Sequence, residues 1–153
     1  MTLHHLRQKA LSLLARREYS CKELEQKLFL KANVKRDLVK QLINQLIEEN
    51  LLSDTRFTEV FIHSRIRKGY GPIRIREELK QKGISLTLID QYLDQTEEKW
   101  QSLLAKVWEK RFSQQAPKDF NEFLKQAHFL QYRGFEPAKI RTFLKQYFSF
   151  SDC

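Results

Sequence analysis

The sequence predicts an all-α protein, built as tandem three-helix repeats in an elongated helical array. Three observations carry that prediction. First, the chain repeats itself. Lys68-Gly69-Tyr70-Gly71-Pro72-Ile73-Arg74-Ile75-Arg76-Glu77-Glu78-Leu79 matches Arg133-Gly134-Phe135-Glu136-Pro137-Ala138-Lys139-Ile140-Arg141-Thr142-Phe143-Leu144, and Arg17-Glu18-Tyr19-Ser20-Cys21-Lys22-Glu23-Leu24-Glu25-Gln26-Lys27-Leu28 is a fainter copy. Each copy reads as a helix end, a tight turn with an aromatic, and a new helix; self-similarity of this kind marks helical repeat arrays. Second, apolar residues recur at three- and four-residue spacing along most of the chain. Third, there are only 4 Gly and 3 Pro in 153 residues, too few for the turns of a strand-rich fold.

The elements follow in order. Leu3, Leu6, Ala10, Leu13 and Leu14 predict a helix over 3–17. Ser20 stands three residues before Glu23, the spacing of a capping box, and opens a second helix to about Leu30 with Leu24 and Leu28 inward. The neighbourhood of Asn33 breaks it. A third helix carries Leu38, Leu42, Ile43, Leu46 and Ile47 to about Asn50. Ser53 and Asp54 suit the N-cap of a helix bearing Phe57, Val60 and Phe61. Gly69 stops that helix in a left-handed conformation, and Pro72 opens the next, where its missing N–H costs nothing. Ile75 and Leu79 point inward, the helix ends near Gly83, and Ser85 caps its successor. Residues 86–112 contain neither Gly nor Pro and read either as one long helix or as two nearly coaxial ones. Ser113 to Pro117 is the linker candidate. Helices over 118–133 and Pro137 to Phe148 flank the stop at Gly134. The expected domains are a first repeat over 1–52, a second over 53–112, a partial third over 117–148, and a loose tail over 149–153.

Lys and Arg number 28 against 19 Asp and Glu, a net charge of +9 that calls for an anionic partner. Cys21 and Cys153 form neither a disulfide framework nor a metal box. The first residues lack the apolar run of a secretory signal, and no stretch is long and apolar enough to span a membrane. A cytoplasmic, reducing setting is the expectation.

The chain carries no constellation that points to catalysis. Glu48-Glu49, Glu77-Glu78 and Glu97-Glu98 sit on expected helix surfaces beside cations, the pattern of solvated charge. His4 and His5 are adjacent and diverge on a helix, while His63 and His128 stand alone. Gly69-Tyr70-Gly71-Pro72 lacks the Gly-Lys-Ser/Thr ending of a phosphate-binding loop and follows a helix. Tyr19, Tyr70 and Phe135, at matching turn positions, are expected to wedge between helices. Neither a metal nor a cofactor is expected.

Charge is segregated instead. From His63 to Lys82 lie Arg65, Arg67, Lys68, Arg74, Arg76, Lys80 and Lys82 against Glu77 and Glu78, a net of +5 in twenty residues. The last copy adds Arg133, Lys139, Arg141 and Lys145, and Asp90, Asp94, Glu97 and Glu98 make an acidic patch. A face of one sign steers an anionic partner and raises its on-rate. The candidate partner-binding residues are Arg65, Arg67, Lys68, Arg74, Arg76, Lys80, Lys82, Arg133, Lys139 and Arg141.

These residues also carry a resemblance. Ala10-Leu11-Ser12-Leu13-Leu14-Ala15-Arg16-Arg17-Glu18-Tyr19-Ser20 with Glu23-Leu24, Leu51-Leu52-Ser53-Asp54 with Arg56-Phe57, Gly69-Tyr70-Gly71-Pro72 and Phe129-Leu130-Gln131-Tyr132-Arg133-Gly134-Phe135 together resemble the RecX family of bacterial recombination regulators. The resemblance runs in order over residues 8–148. It implies a curved array of three-helix repeats, with no enzymatic activity of its own, that binds the RecA filament and suppresses its strand exchange, ATP hydrolysis and coprotease activity. The rival reading from the residues is direct binding to single- or double-stranded DNA through phosphate contacts.

Overall fold

The computed structural model describes residues 2–30, 35–93 and 97–148. Among these residues there are nine helices and no strand: α1 Leu3–Leu14, α2 Cys21–Leu30, α3 Arg36–Glu48, α4 Asp54–Arg67, α5 Pro72–Gln81, α6 Leu86–Leu93, α7 Glu97–Phe112, α8 Phe120–Tyr132 and α9 Pro137–Leu144. The expected break at Asn33, the acidic Asp94 and the tail over 149–153 lie outside the described residues. So do residues 94–96, between α6 and α7. The chain divides into two compact units. One comprises Met1–Phe61 and Leu79–Tyr92, the other Ile62–Glu78 and Leu93–Cys153.

In the first unit α1, α2 and α3 close around Leu6, Ala10, Tyr19, Leu24, Leu28, Val39, Leu42, Leu46 and Leu52. Each fully buried leucine contributes ~1.5–3 kcal/mol of transfer free energy. The capping box forms as the sequence predicts: Glu23 N–H donates to Ser20 Oγ at 3.1 Å and Ser20 N–H to Glu23 Oε1 at 3.3 Å. The Ser20 hydroxyl also donates to the Lys82 carbonyl at 2.7 Å, and Lys82 Nζ reaches Glu23 Oε2 at 2.7 Å. Arg17 closes the other side of Glu23 with a two-pronged contact at 3.2 and 3.1 Å. Burial alone would raise the Glu23 carboxyl, but the Arg17 and Lys82 hydrogen bonds outweigh it and hold the carboxyl below its ordinary value.

Helix α1 stops at Leu14, short of the expected residue 17, and Arg17 belongs to the turn before α2. Its guanidinium lies 3.6 Å from the Tyr19 ring centroid as well as on Glu23. Asn50 ends the third helical stretch in a left-handed conformation (φ 59°), which lets the Leu51 and Leu52 N–H groups both reach the Leu46 carbonyl. Ser53 caps α4 through Arg56 N–H at 3.2 Å. Asp54 does something different: its carboxylate accepts from Cys21 N–H at 2.8 Å, capping α2. Burial, with that carboxylate close by, pushes the Cys21 thiol up to about 12, so it stays protonated at neutral pH.

Two of the apolar residues that mark these helices face outward. Val60 is 53% and Ile47 is 45% exposed. On α4 the inner place goes to Thr58, which is fully buried because its hydroxyl donates to the Asp54 carbonyl at 2.7 Å.

The second unit is centred on Trp108 of α7, 1% exposed, with Leu104, Phe123, Leu130, Phe135, Ile140 and Leu144 around it. Tyr147 stacks on the indole at 4.7 Å and Phe143 meets it edge-on at 5.3 Å. The indole Nε1–H donates to Gln126 Oε1 at 2.8 Å, and Gln126 Nε2 donates to the Gln115 carbonyl at 3.0 Å. This chain of bonds satisfies a buried glutamine and anchors the loop over 113–117, whose Pro117 is buried. Asp119 caps α8 through Glu122 N–H at 2.8 Å. Helix α9 ends at Leu144, one turn before the expected Phe148.

The two clearest sequence copies meet in this unit. The turn after α4 lies against the turn after α8, with Gly71 N–H donating to the Arg133 carbonyl at 2.7 Å and Ile73 N–H to the Gly134 carbonyl at 3.0 Å. Such proximity requires glycine. A Cβ on Gly71 would stand 2.5 Å from the Gly134 carbonyl oxygen, and Gly134 itself has φ 103°. Thus the first N–H groups of α5, orphaned by helix geometry, find acceptors in the other copy of the turn.

Candidate anion-binding site

The last turn of α4 carries Arg67 and continues into Lys68 and Gly69, while α7 presents Lys106, Lys110 and Arg111 on one face, and α8 ends in Arg133. Residues 103, 106, 107, 110 and 111 follow the i, i+3, i+4, i+7 spacing, so Leu103 and Val107 come with the cations. Together these elements enclose a groove of about 540 Å³. Its floor is apolar (Ile66, Leu103, Val107, Phe129), its walls carry six cations (Arg67, Lys68, Lys106, Lys110, Arg111, Arg133), and among the described residues no carboxylate lines it. Arg67 ends α4, and Lys110 and Arg111 lie in the last turn of α7, where cations complement the helix dipole.

The groove is partly pre-formed. Arg133 donates to the Lys68 carbonyl at 2.8 Å, and its guanidinium lies 5.2 Å from the Phe129 ring centroid and 5.1 Å from that of Tyr70. Arg111 takes a similar place, 5.4 Å from Phe129 and 5.3 Å from Phe112. Gly69 lines the groove with φ 85°, and a Cβ there would meet Val107 Cγ2 at 3.0 Å.

The candidate residues therefore divide. Arg67, Lys68 and Arg133 come together in the groove. Arg65 and Arg74 converge on Glu78 instead, at 2.8 and 3.4 Å, and stand over the Tyr70 ring at 5.4 and 4.2 Å. Tyr70 differs from its counterparts in burial: Phe135 and Tyr19, which also takes a guanidinium, are each 3% exposed, whereas Tyr70 is half-buried beneath three guanidinium groups. Arg74 also lies over Tyr132, which is 72% exposed, and donates to its carbonyl at 3.3 Å. Lys139 pairs with Glu97, and that hydrogen bond raises its ammonium above the ordinary lysine value. Lys82 is held by Glu23 in the first unit, where Lys80 is exposed; Arg76 is half-buried and Arg141 exposed in the second.

Lys106, Lys110 and Arg111 were not among the candidates. They fall in the unbroken segment over 86–112, with acidic and apolar neighbours in sequence, and only α7's packing brings them to Arg67 and Arg133. Their i, i+4, i+5 spacing is the signal that points to a shared helix face. The paired glutamates are structural: Glu49 binds Arg7 at 2.5 Å, Glu78 the two arginines, and Glu97 Lys139. Among the described residues no group of three or more His, Cys, Asp or Glu could hold a metal ion, and no helix is long and apolar enough to cross a membrane.

Fold and site define an all-helical repeat protein whose distinctive surface is a cationic groove. Comparison with known proteins narrows this. Residues 53–93 match the family description of the RecX second three-helix domain, and residues 97–144 that of the third. The chain is 43% identical over 137 residues to the regulatory protein RecX of Halorhodospira halophila, covering 90% of this chain and 84% of that one. It is 41% identical over 143 residues to the regulatory protein RecX of Pseudomonas fluorescens strain SBW25, covering 94% and 92%. The crystal structure of RecX from Lactobacillus salivarius superposes with a TM-score of 0.77 at 24% identity, covering 94% of this chain and 95% of that one, a likeness of fold. The chain belongs to the RecX family.

Proposed function

We propose that the protein is a regulator that binds the RecA recombinase filament and restrains its recombination, ATPase and coprotease activities, so modulating DNA repair and the SOS response. The observation that carries the reading is that a RecX-family chain presents six cations around one groove, with no carboxylate among its lining residues. Such a surface suits the acidic patches and phosphates that a protein–DNA filament displays together. Restraint needs no bond to be made or broken. An array that touches neighbouring protomers at several points gains by effective concentration and opposes their rearrangement. In this reading Arg67, Lys68 and Arg133, with Lys106, Lys110 and Arg111, make the main contact, and Arg65, Arg74, Arg76, Lys80, Lys82, Lys139 and Arg141 are secondary candidates. The protein works in the cytoplasm without a cofactor.

The test is co-sedimentation with RecA filaments, coupled to RecA ATPase. Charge reversal at Arg67 and Lys68 is expected to weaken both by tenfold or more, and reversal at Arg74 and Arg76 by less, since Glu78 already offsets Arg74. Unchanged inhibition in a folded R67E/K68E protein refutes the assignment.

Direct binding to bare DNA is the second reading, because the same six cations suit phosphates. If all six engaged duplex phosphates, log K would fall against log salt with a slope of roughly −5. Anisotropy titrations with bare DNA and with RecA filaments, run side by side over ionic strength, separate the two.

A further inference from the structure

We infer that the groove of the second unit is a binding site for a nucleoside polyphosphate. Charge comes first. Six cations stand on its walls without a carboxylate between them. One phosphate carries a charge of about −2 at neutral pH and would leave most of that field unmet. A chain of phosphates answers it better.

Shape is the second strand. The cations surround a concavity of about 540 Å³, within the ~300–1,000 Å³ typical of small-ligand sites. A duplex keeps its bases stacked inside and lays no flat apolar body on a floor between its phosphate contacts. Here the floor is apolar, formed by Ile66, Leu103 and Val107. A nucleoside polyphosphate meets both features, its flat body on the floor and its phosphates on the walls.

Geometry supplies the third. Lys106 and Lys110 are one helical turn apart on α7 and exposed, so both ammonium groups are free to swing to one phosphate chain. Arg133 is fixed by its bond to the Lys68 carbonyl at 2.8 Å. A placed guanidinium loses little freedom when it takes a phosphate bidentately. The ligand would bridge the end of α4 and α7, both parts of the same compact unit, and so stabilise that unit. It would also occupy cations assigned above to the filament, making nucleotide a competitor for the regulator. The inference rests on the groove and does not need the RecA reading.

Calorimetric titration of the full chain tests it, with ATP, tripolyphosphate and orthophosphate as probes and RecA absent. Saturable ATP binding is expected, at least tenfold tighter than tripolyphosphate, with orthophosphate weakest. K106A/K110A removes two exposed side chains without touching the core, and ATP affinity should fall tenfold or more, while K118A/K125A leaves it unchanged. Absence of saturation at millimolar ATP, equal affinity for tripolyphosphate, or unaltered binding by K106A/K110A overturns the proposal. A short single strand that displaces ATP and binds more tightly assigns the site to nucleic acid and overturns the free nucleotide as its occupant. Because RecA is absent, failure here leaves the filament reading untouched; failure of K106A/K110A to alter RecA inhibition while ATP binding is lost would count against the filament contact alone.

Discussion

Replacing Gly71 by alanine tests the joint between the two repeated turns. The added Cβ would lie 2.5 Å from the Gly134 carbonyl oxygen and 2.8 Å from Phe135 N, both backbone atoms that cannot rotate away. Restoring an ordinary separation of ~3.5 Å requires the turns to part by about 1 Å. At that distance the Gly71-to-Arg133 and Ile73-to-Gly134 hydrogen bonds, now 2.7 and 3.0 Å, are broken or badly stretched. Each contributes ~0.5–1.5 kcal/mol net, so their loss costs ~1–3 kcal/mol. Alanine restricts the unfolded chain and returns ~0.4–1 kcal/mol. The net expectation is a loss of ~0–2.6 kcal/mol, centred near ~1.3 kcal/mol, which is a fall in Tm of ~3–5 °C for a chain of this size. Thermal melts with residue-resolved hydrogen exchange provide the assay. The Gly71 and Ile73 amides should lose protection, while amides around Leu24 and Leu42 in the first unit keep theirs. A Tm within 1 °C of the parent with both amides still protected would refute the close-packed joint.

Two further predictions concern a half-buried carboxylate and a buried amide. Glu23→Gln should cost ~2 kcal/mol at pH 7, since the carboxylate's bonds to Arg17 and Lys82 are charge-assisted. The folded carboxyl titrates below its ordinary 4.5, so its stabilisation is complete above that value and is lost as pH falls through the lowered one. Denaturant melts from pH 7 to pH 3 should therefore show the variant and parent converging only on the acid side; a constant gap would contradict the ion-pair account. Gln126→Leu leaves the Trp108 N–H and the Gln115 carbonyl without their partner, at a cost of ~1–3 kcal/mol. Trp108→Phe removes packed ring atoms in either background, so the double-mutant cycle is the readout: it should cost less in Gln126→Leu than in the parent, because the donor is already orphaned there, and equal costs in urea unfolding would mean that packing, not the hydrogen bond, matters.

What the sequence made legible was local. The capping box at Ser20 and Glu23, the stop at Gly69, the start at Pro72 and the stop at Gly134 each depend on groups within a few residues, and each formed. What stayed hidden depended on distant partners. Thr58 is the local exception, a buried threonine whose hydroxyl is satisfied by a carbonyl one turn back. Tyr70 shares its register with Tyr19 and Phe135, yet guanidinium groups of α4, α5 and the turn after α8 cover it instead of a helix. The basic cluster read as one face, but Glu78 draws Arg65 and Arg74 away, and α7 supplies half of the groove's cations from a segment whose own sequence shows no excess of charge. Charge counts along a chain register neither pairing nor the approach of another helix.

The bond from Arg133 to the Lys68 carbonyl sets an order of events as well as a geometry. Its two ends are 65 residues apart, and the first is made long before the second. At ~5–20 residues per second, the turn after α4 waits roughly 3–13 s on the ribosome for its partner turn to be synthesised. Throughout that interval the N–H groups of Gly71 and Ile73 lack the acceptors they have in the finished fold, and the groove is incomplete. Residues 1–52 carry a core of their own and can close in the meantime. The C-terminal residues thus act late in the birth of the protein, as the piece that completes a site begun near its middle.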